Sequence, residues 1–420
     1  MTPSNPWPVF TKVVFRFFFV YFILYTCPFP FGWFMFTEGI GEFYTDIWLA
    51  PINWTGRNIL NLDYDVTIKP AGSGDTTYNY VQIFIFAVFA FVVTAVWSVL
   101  DRHRENYNRL SYWFTIYLRY CLAVVMLTYG FSKVIPLQFG PPSLDRLAQP
   151  LGEMSPMGLL WTFMGYSTPY MVFAGIGEVA GGMLLFFKRT RVLGCLIVIA
   201  IMSNVAMLNF SYDVPVKLFS MHLLGIAFFL IAPDVKRLLQ FFVFNQATQP
   251  VRIEPVYATR DGKIAYFTGK SVFVLAFTLL PLYQSVEMYR KYRSPGGNPP
   301  LYGIYDVETF VWAGDTLRQS SRDTRGWTKL MIDRRGSATI RYMDGVNVLW
   351  ECETDTSQHT IRLSAQNSSN PSDFMYRQEG ENMVLDGSLN GQQINAVLKK
   401  RNFLLVNRGF HWINEYPFNQ

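Results

Sequence analysis

The chain has 420 residues, half of them hydrophobic and only 16% charged, with a formal net charge of +6. That balance belongs to membrane proteins, and basic residues between apolar stretches report orientation, so the charge calls for no nucleic-acid partner. Cys27, Cys121, Cys195 and Cys352 are dispersed with no C-x-x-C pair, and His222 alone among the histidines lies in an apolar run, which argues against thiol exchange, a cysteine-held metal or a bis-histidine haem.

A helix needs roughly 20 apolar residues to cross about 30 Å of hydrocarbon. Seven segments approach that length: Val13–Phe34, Val81–Leu100, Tyr112–Ile135, Pro169–Phe187, Val192–Phe210, Val216–Ile231 and Ser271–Val286, the last with Pro281 inside it. Lys and Arg concentrate in alternate loops: Arg102, Arg104 and Arg109, then Lys188, Arg189 and Arg191, then Lys236, Arg237, Lys263 and Lys270. The loop over 37–80 is acidic instead, with Glu42, Asp46, Asp63, Asp65 and Asp75. Since basic loops stay in the cytoplasm, the pattern predicts a multi-pass protein of the bacterial inner membrane, with a cytoplasmic N-terminus and a periplasmic C-terminal region.

Residues 291–326 read as a linker through the Pro/Gly stretch at Ser294–Pro300, with a short helix over Asp306–Arg318. From Trp327 onward, short alternating segments recur between turns such as Asp344-Gly345, Glu379-Gly380 and Asn390-Gly391. They predict eight strands, from Thr328–Ile332 to Phe403–Val406, in a soluble antiparallel β-domain built as a small barrel or sandwich. Phe410, Trp412 and Tyr416 are expected to pack back onto it, the alternative being contact with the membrane interface. The fold class is thus an α-helical polytopic membrane protein with a C-terminal β-domain. Its expected divisions are an N-terminal pair of spans with a large external loop (1–111), a four-helix membrane bundle (112–233), a cytoplasmic loop and last span (234–290), the linker (291–326) and the external β-domain (327–420).

Ionisable groups inside a span are costly and mark either sites or structural ion pairs. Helical rise from the flanking basic residues puts Arg119 about 10 Å and Glu178 about 15 Å from the cytoplasmic side, with Asn204 and His222 also in the middle third. Two readings stay open: an Arg119–Glu178 pair that locks the bundle, with Asn204 and His222 satisfying leftover donors, or a site that carries protons or holds a polar headgroup. Lys133, Asn209, Tyr212, Asp213 and Lys217 form an outer-edge group, read as interfacial snorkelling or as an entrance. Gly177 and Gly181 make a G-x-x-x-G that permits close helix approach.

Arg119, the run Tyr129-Gly130-Phe131-Ser132-Lys133, and Gly177-Glu178 with Ala180-Gly181-Gly182 and Leu184-Leu185 give spans three to six, from Tyr112 to Pro233, a resemblance to the DoxX-like family of four-helix membrane proteins. The resemblance implies an accessory or assembly component that works with partner proteins, since members serve in thiosulfate:quinone oxidoreductases, beside terminal oxidases, or in maturation, export and receptor assembly. The two leading spans, the trailing span and the β-domain are additions to the family's minimal form. The β-domain would be the interaction module. A second reading is a quinone-interacting membrane subunit whose electron carriers reside in another chain, and a third is transport of a small molecule or proton past Arg119, Glu178 and His222. No G-x-S-x-G, H-E-x-x-H or phosphate-binding glycine loop occurs, so no catalytic role and no cofactor are expected of this chain, whereas a quinone or lipid tail suits its aromatic bundle.

Overall fold

A computed structural model describes residues 6–31, 38–67, 72–249, 259–292, 297–318, 324–365 and 371–419. Its helices are α1 (Val9–Thr26), α2 (Glu38–Asn58), α3 (Thr77–Leu100), α4 (Asn108–Val134), α5 (Leu144–Ala148), α6 (Pro156–Tyr166), α7 (Thr168–Leu185), α8 (Arg191–Ser211), α9 (Lys217–Ile231), α10 (Val235–Phe242) and α11 (Arg260–Tyr292). Seven of them, α1, α3, α4, α7, α8, α9 (run on through α10) and α11, are long and apolar enough to cross a membrane, and each falls on an expected span. The first stops at Thr26 rather than running on, because Pro28 and Pro30 follow and proline supplies no backbone donor. Phe34, its expected end, lies outside the described residues.

One part of the acidic loop is helical: α2 carries Trp48, Leu49 and Ile52 on a face that packs with Val66, Tyr78 and Val81. One helical core joins α1, α4, α7, α8, α9 and α11. Phe15 and Phe22 of α1 and Phe277 of α11 share it with Leu118 and Leu122 of α4, Val198 of α8 and Leu223 and Ile226 of α9. Arg16, a charge inside the first span that sequence reasoning passed over, is only 3% exposed. Its guanidinium donates to the Tyr107 hydroxyl at 2.7 and 3.0 Å, to Ser98 Oγ at 2.8 Å and to the Asp101 carbonyl at 3.2 Å. The Tyr107 hydroxyl in turn donates to Asp101 Oδ2 at 2.7 Å, and this bond holds the Asp101 carboxyl below the usual carboxylate range. One buried cation thereby ties α1 to the end of α3 and the start of α4.

The second compact unit is built on β1 (Gly303–Trp312), β2 (Asp315–Thr316), β3 (Trp327–Arg334), β4 (Gly336–Tyr342), β5 (Asn347–Asp355), β6 (Thr360–Ala365), β7 (Ser372–Glu379), β8 (Asn382–Leu389) and β9 (Gln392–Lys400), followed by the short helix α12 (Leu404–Asn407). Strands pair antiparallel in sequence order from β3 to β9, and β1 pairs with both β3 and β9, so eight strands close into an up-and-down barrel while β2 extends the edge of β1. Alternate residues point inward: Ile394, Ala396 and Leu398 on β9, Phe374 and Tyr376 on β7. With Trp327, Tyr305 and Phe310 they fill the interior.

Three expectations differ from the structure. The stretch 291–326 is not a linker with a short helix over Asp306–Arg318, because Ile304, Tyr305, Val307, Thr309, Phe310 and Val311 are β-branched or aromatic and form β1. Phe403–Val406 is not the last strand, because β9 already has β8 on one side and β1 on the other, leaving no edge to extend. The same closure leaves no open core for the chain end: Phe410, Trp412 and Tyr416 are exposed rather than packed. Within this unit Leu144 of α5 packs with Ile304, Met331, Tyr302 and Phe403.

Candidate functional site

The tightest helix approach is α4 against α7. A Cβ on Gly130 would stand 2.7 Å from Val179 Cγ2 and 2.9 Å from its backbone nitrogen, and one on Gly175 would meet Lys133 Cβ at 2.7 Å. Only glycine admits this spacing. It sets Lys133 beside Glu178, with Nζ donating to both carboxylate oxygens at 2.7 Å. Lys133 is 7% and Glu178 3% exposed, so the pair is buried rather than snorkelling.

Arg119 does not pair with Glu178. In the antiparallel register Glu178 lies level with Gly130, eleven residues or about 16 Å along α4 from Arg119. Arg119 instead donates from Nε and Nη2 to the Leu185 carbonyl at 2.9 and 2.6 Å, satisfying an orphan acceptor at the end of α7. Depth counted separately from each helix's flanking charges missed this offset, because α7 ends level with Arg119 and not with the start of α4.

His222 Nδ1 lies 2.6 Å from the Leu218 carbonyl, which only accepts, so Nδ1 carries the proton and the neutral ring's Nε2 accepts from the Tyr21 hydroxyl at 2.7 Å. Its ring stacks on Tyr25 at 3.9 Å between centroids. Asn204 takes no part: its side chain is exposed on the outer face of α8 and makes no hydrogen bond among the described residues. The outer-edge group separates similarly. Lys217 Nζ bonds Asp213 at 2.8 Å and approaches Asp75 at 3.8 Å, while Asn209 donates to the Val216 carbonyl at 3.4 Å. Asp75, reaching from the α2–α3 loop, accepts from the backbone nitrogens of Lys217 and Leu218 at 2.8 and 2.9 Å, where a carboxylate complements the N-terminus of α9.

The Tyr25 that carries His222 also faces a cavity of about 560 Å³, which none of the candidates taken from the sequence lines. Its walls come from Tyr25 and Thr26 at the end of α1 with Cys27 after it, Tyr44 and Thr45 of α2, Tyr78, Asn79, Gln82 and Phe86 of α3, Cys121 and Val125 of α4, and Phe219, Leu223 and Ile226 of α9. Tyr44 donates to the Leu24 carbonyl at 2.6 Å, Tyr78 to the Thr45 carbonyl at 2.9 Å, and Gln82 Nε2 to the Tyr78 hydroxyl at 3.2 Å. The Tyr25 hydroxyl, Asn79 Nδ2 and Gln82 Oε1 make no hydrogen bond with any described residue. Burial pushes the Tyr44 hydroxyl well above the ordinary phenol range and raises the Cys27 thiol, so both stay neutral. No described lining residue is charged, and among the described residues no three His, Cys, Asp or Glu side chains cluster as metal ligands. Such a wall suits a neutral, mainly apolar guest with one or two polar atoms. The signal in the sequence was faint, because Tyr44, Tyr78 and Gln82 look like ordinary interfacial residues until α2 folds against α3.

No family model matches the chain, and no solved structure matches it. The chain is similar to a Bacillus subtilis (strain 168) protein described as "Uncharacterized protein YwoB", 32% identical over 126 residues that cover 30% of this chain and 79% of the other.

Proposed function

This chain belongs to the same family as that Bacillus subtilis protein, and we propose that it is a multi-pass inner-membrane accessory protein that binds a neutral, quinone-like molecule between α1, α2, α3, α4 and α9. The observation that carries the reading is the uncharged, tyrosine-walled cavity with its unengaged Tyr25 hydroxyl, Asn79 amide nitrogen and Gln82 amide oxygen. Apolar walls take a ring and its tail, while these three groups meet carbonyl or hydroxyl oxygens. The DoxX-like resemblance of α4 and α7–α9 supports a redox-associated setting, with electron carriers in a partner chain. The packed interior of the barrel, filled by Trp327, Phe310 and Phe374, supports a role for its outer surface as the partner-binding module rather than for its lumen as a ligand carrier. Basic residues in alternate loops support a cytoplasmic N-terminus and a periplasmic barrel.

Val125→Trp, which fills the cavity from α4, tests the ligand reading. Full-length protein in nanodiscs is titrated with short-chain benzoquinone and naphthoquinone analogues by calorimetry. Saturable binding that weakens at least about tenfold in Val125→Trp, a loss of about 1.4 kcal/mol, is expected. Equal binding by both proteins, or none by either, rejects the reading. Reporter fusions after Arg109 and after Gln420 should mark opposite sides of the membrane.

A further inference from the structure

After β9 the chain carries a run of exposed apolar side chains: Leu404 is 55% exposed, Phe410 78%, Trp412 90%, Ile413 78% and Tyr416 85%. Water-exposed monomer surfaces rarely concentrate such residues without an occupant. Their origin in the fold indicates which occupant. Tyr305 on β1 pairs with Lys400 on β9, and Arg401 donates from its backbone nitrogen to the Ile304 carbonyl at 2.7 Å and from its guanidinium to both Asp306 oxygens at 2.8 Å. The tail therefore leaves the barrel at the end where β1 enters it. Ten residues, 293–302, separate the end of α11 from β1, a length of at most about 36 Å when fully extended. Lys399, Lys400 and Arg408 flank the apolar run against Glu415, giving a basic margin beside Trp and Tyr, the composition of segments that settle at anionic membrane surfaces.

We propose that residues 404–418 form an interfacial anchor, with Leu404, Phe410, Trp412, Ile413 and Tyr416 seated in the headgroup layer of the bilayer and the basic residues on anionic lipid phosphates. The anchor pins the β1/β9 end of the barrel to the membrane surface. The inference rests on the membrane-spanning reading above and is tested so that the two separate.

Full-length protein with Cys27→Ser, in phosphatidylethanolamine/phosphatidylglycerol nanodiscs, is labelled with an environment-sensitive fluorophore at Glu415→Cys, at Val92→Cys on the exposed face of α3, and at Val346→Cys on the barrel. A doxyl quencher carried near the lipid headgroup is compared with aqueous iodide. The expected result is loss of most emission to the lipid quencher at positions 92 and 415 and to iodide only at 346. Trp412→Ser with Ile413→Ser should return position 415 to iodide. Quenching at 92 with iodide access at 415 overturns the anchor and leaves the membrane reading standing. A label at 415 shielded from both quenchers means that protein covers the tail, and also overturns it. Failure at 92 removes the membrane reading and this inference with it.

Discussion

Replacing Glu178 with glutamine leaves the shape of the α4–α7 contact almost unchanged and strands the Lys133 ammonium. In the native chain that ammonium donates to both carboxylate oxygens at 2.7 Å, with both side chains almost wholly out of solvent. Glutamine keeps one acceptor oxygen but no charge, so the substitution removes a charge-assisted bond of about 1.5–3 kcal/mol and leaves a buried cation uncompensated. The combined cost for breaking such a pair is about 3–5 kcal/mol. At about 2–4 °C per kcal/mol for a unit of this size, melting followed in detergent should fall by roughly 10 °C. Lys133→Met combined with Glu178→Leu removes both charges and should recover most of the loss, because well-packed apolar pairs replace buried ion pairs at little cost. Wild-type melting should change little with salt, since screening hardly reaches a desolvated pair. A single substitution that melts like the wild type, or a double one that melts as low as the single, would refute the account.

Other consequences are as specific. Gly130→Ala should destabilise the helical unit by about 1–3 kcal/mol, read by the same melt, because its Cβ has nowhere to go, whereas Gly225→Ala, with open space around it, should be neutral. Arg16→Met should expose the α1 end to proteolysis, since Tyr107, Ser98 and Asp101 all lose their shared donor. Asp355 accepts from Ser357 Oγ and from the backbone nitrogens of Ser357 and Gln358, and these bonds hold its carboxyl below the ordinary range. A folded-state value below the unfolded one contributes stability that is complete above about pH 4 and disappears as pH falls through the folded value. The melting difference between wild type and Asp355→Asn should therefore close on acidification.

Span positions were legible because length and hydropathy constrain them directly: α3, α4, α7, α8 and α9 fall within a few residues of the expected bounds. The β-strands were legible for a related reason, since period-two alternation and glycine turns are local properties. The first strand escaped because Asp306, Glu308 and Thr309 interrupt its apolar residues, and its alternation slips between Val307 and Thr309, where the pairing with β9 is irregular. Site residues were less accessible. Intramembrane polarity pointed to Arg119, Glu178, Asn204 and His222 and left Lys133 at the outer edge, but partnership depends on the offset between helices, which Gly130 and Gly175 set and which no count along a single helix contains. The cavity escaped altogether, because Tyr44 and Tyr78 face each other's helices only once Trp48 and Ile52 have packed α2 down.

The closing pair of the barrel has a further cost during synthesis. The strand that leaves the ribosome first, β1, must wait for the strand that leaves last, β9, and the bond between Asp306 and Arg401 spans 95 residues. Until then two bare edges, on β1 and on whichever strand has most recently emerged, offer unpaired backbone groups to any neighbouring chain. A product that terminates early within β8 or β9 is thus not a weakened copy but an adhesive one, able to capture nascent siblings in the same orientation. Premature stop codons near the end of the message should be more toxic than those that remove the whole sheet.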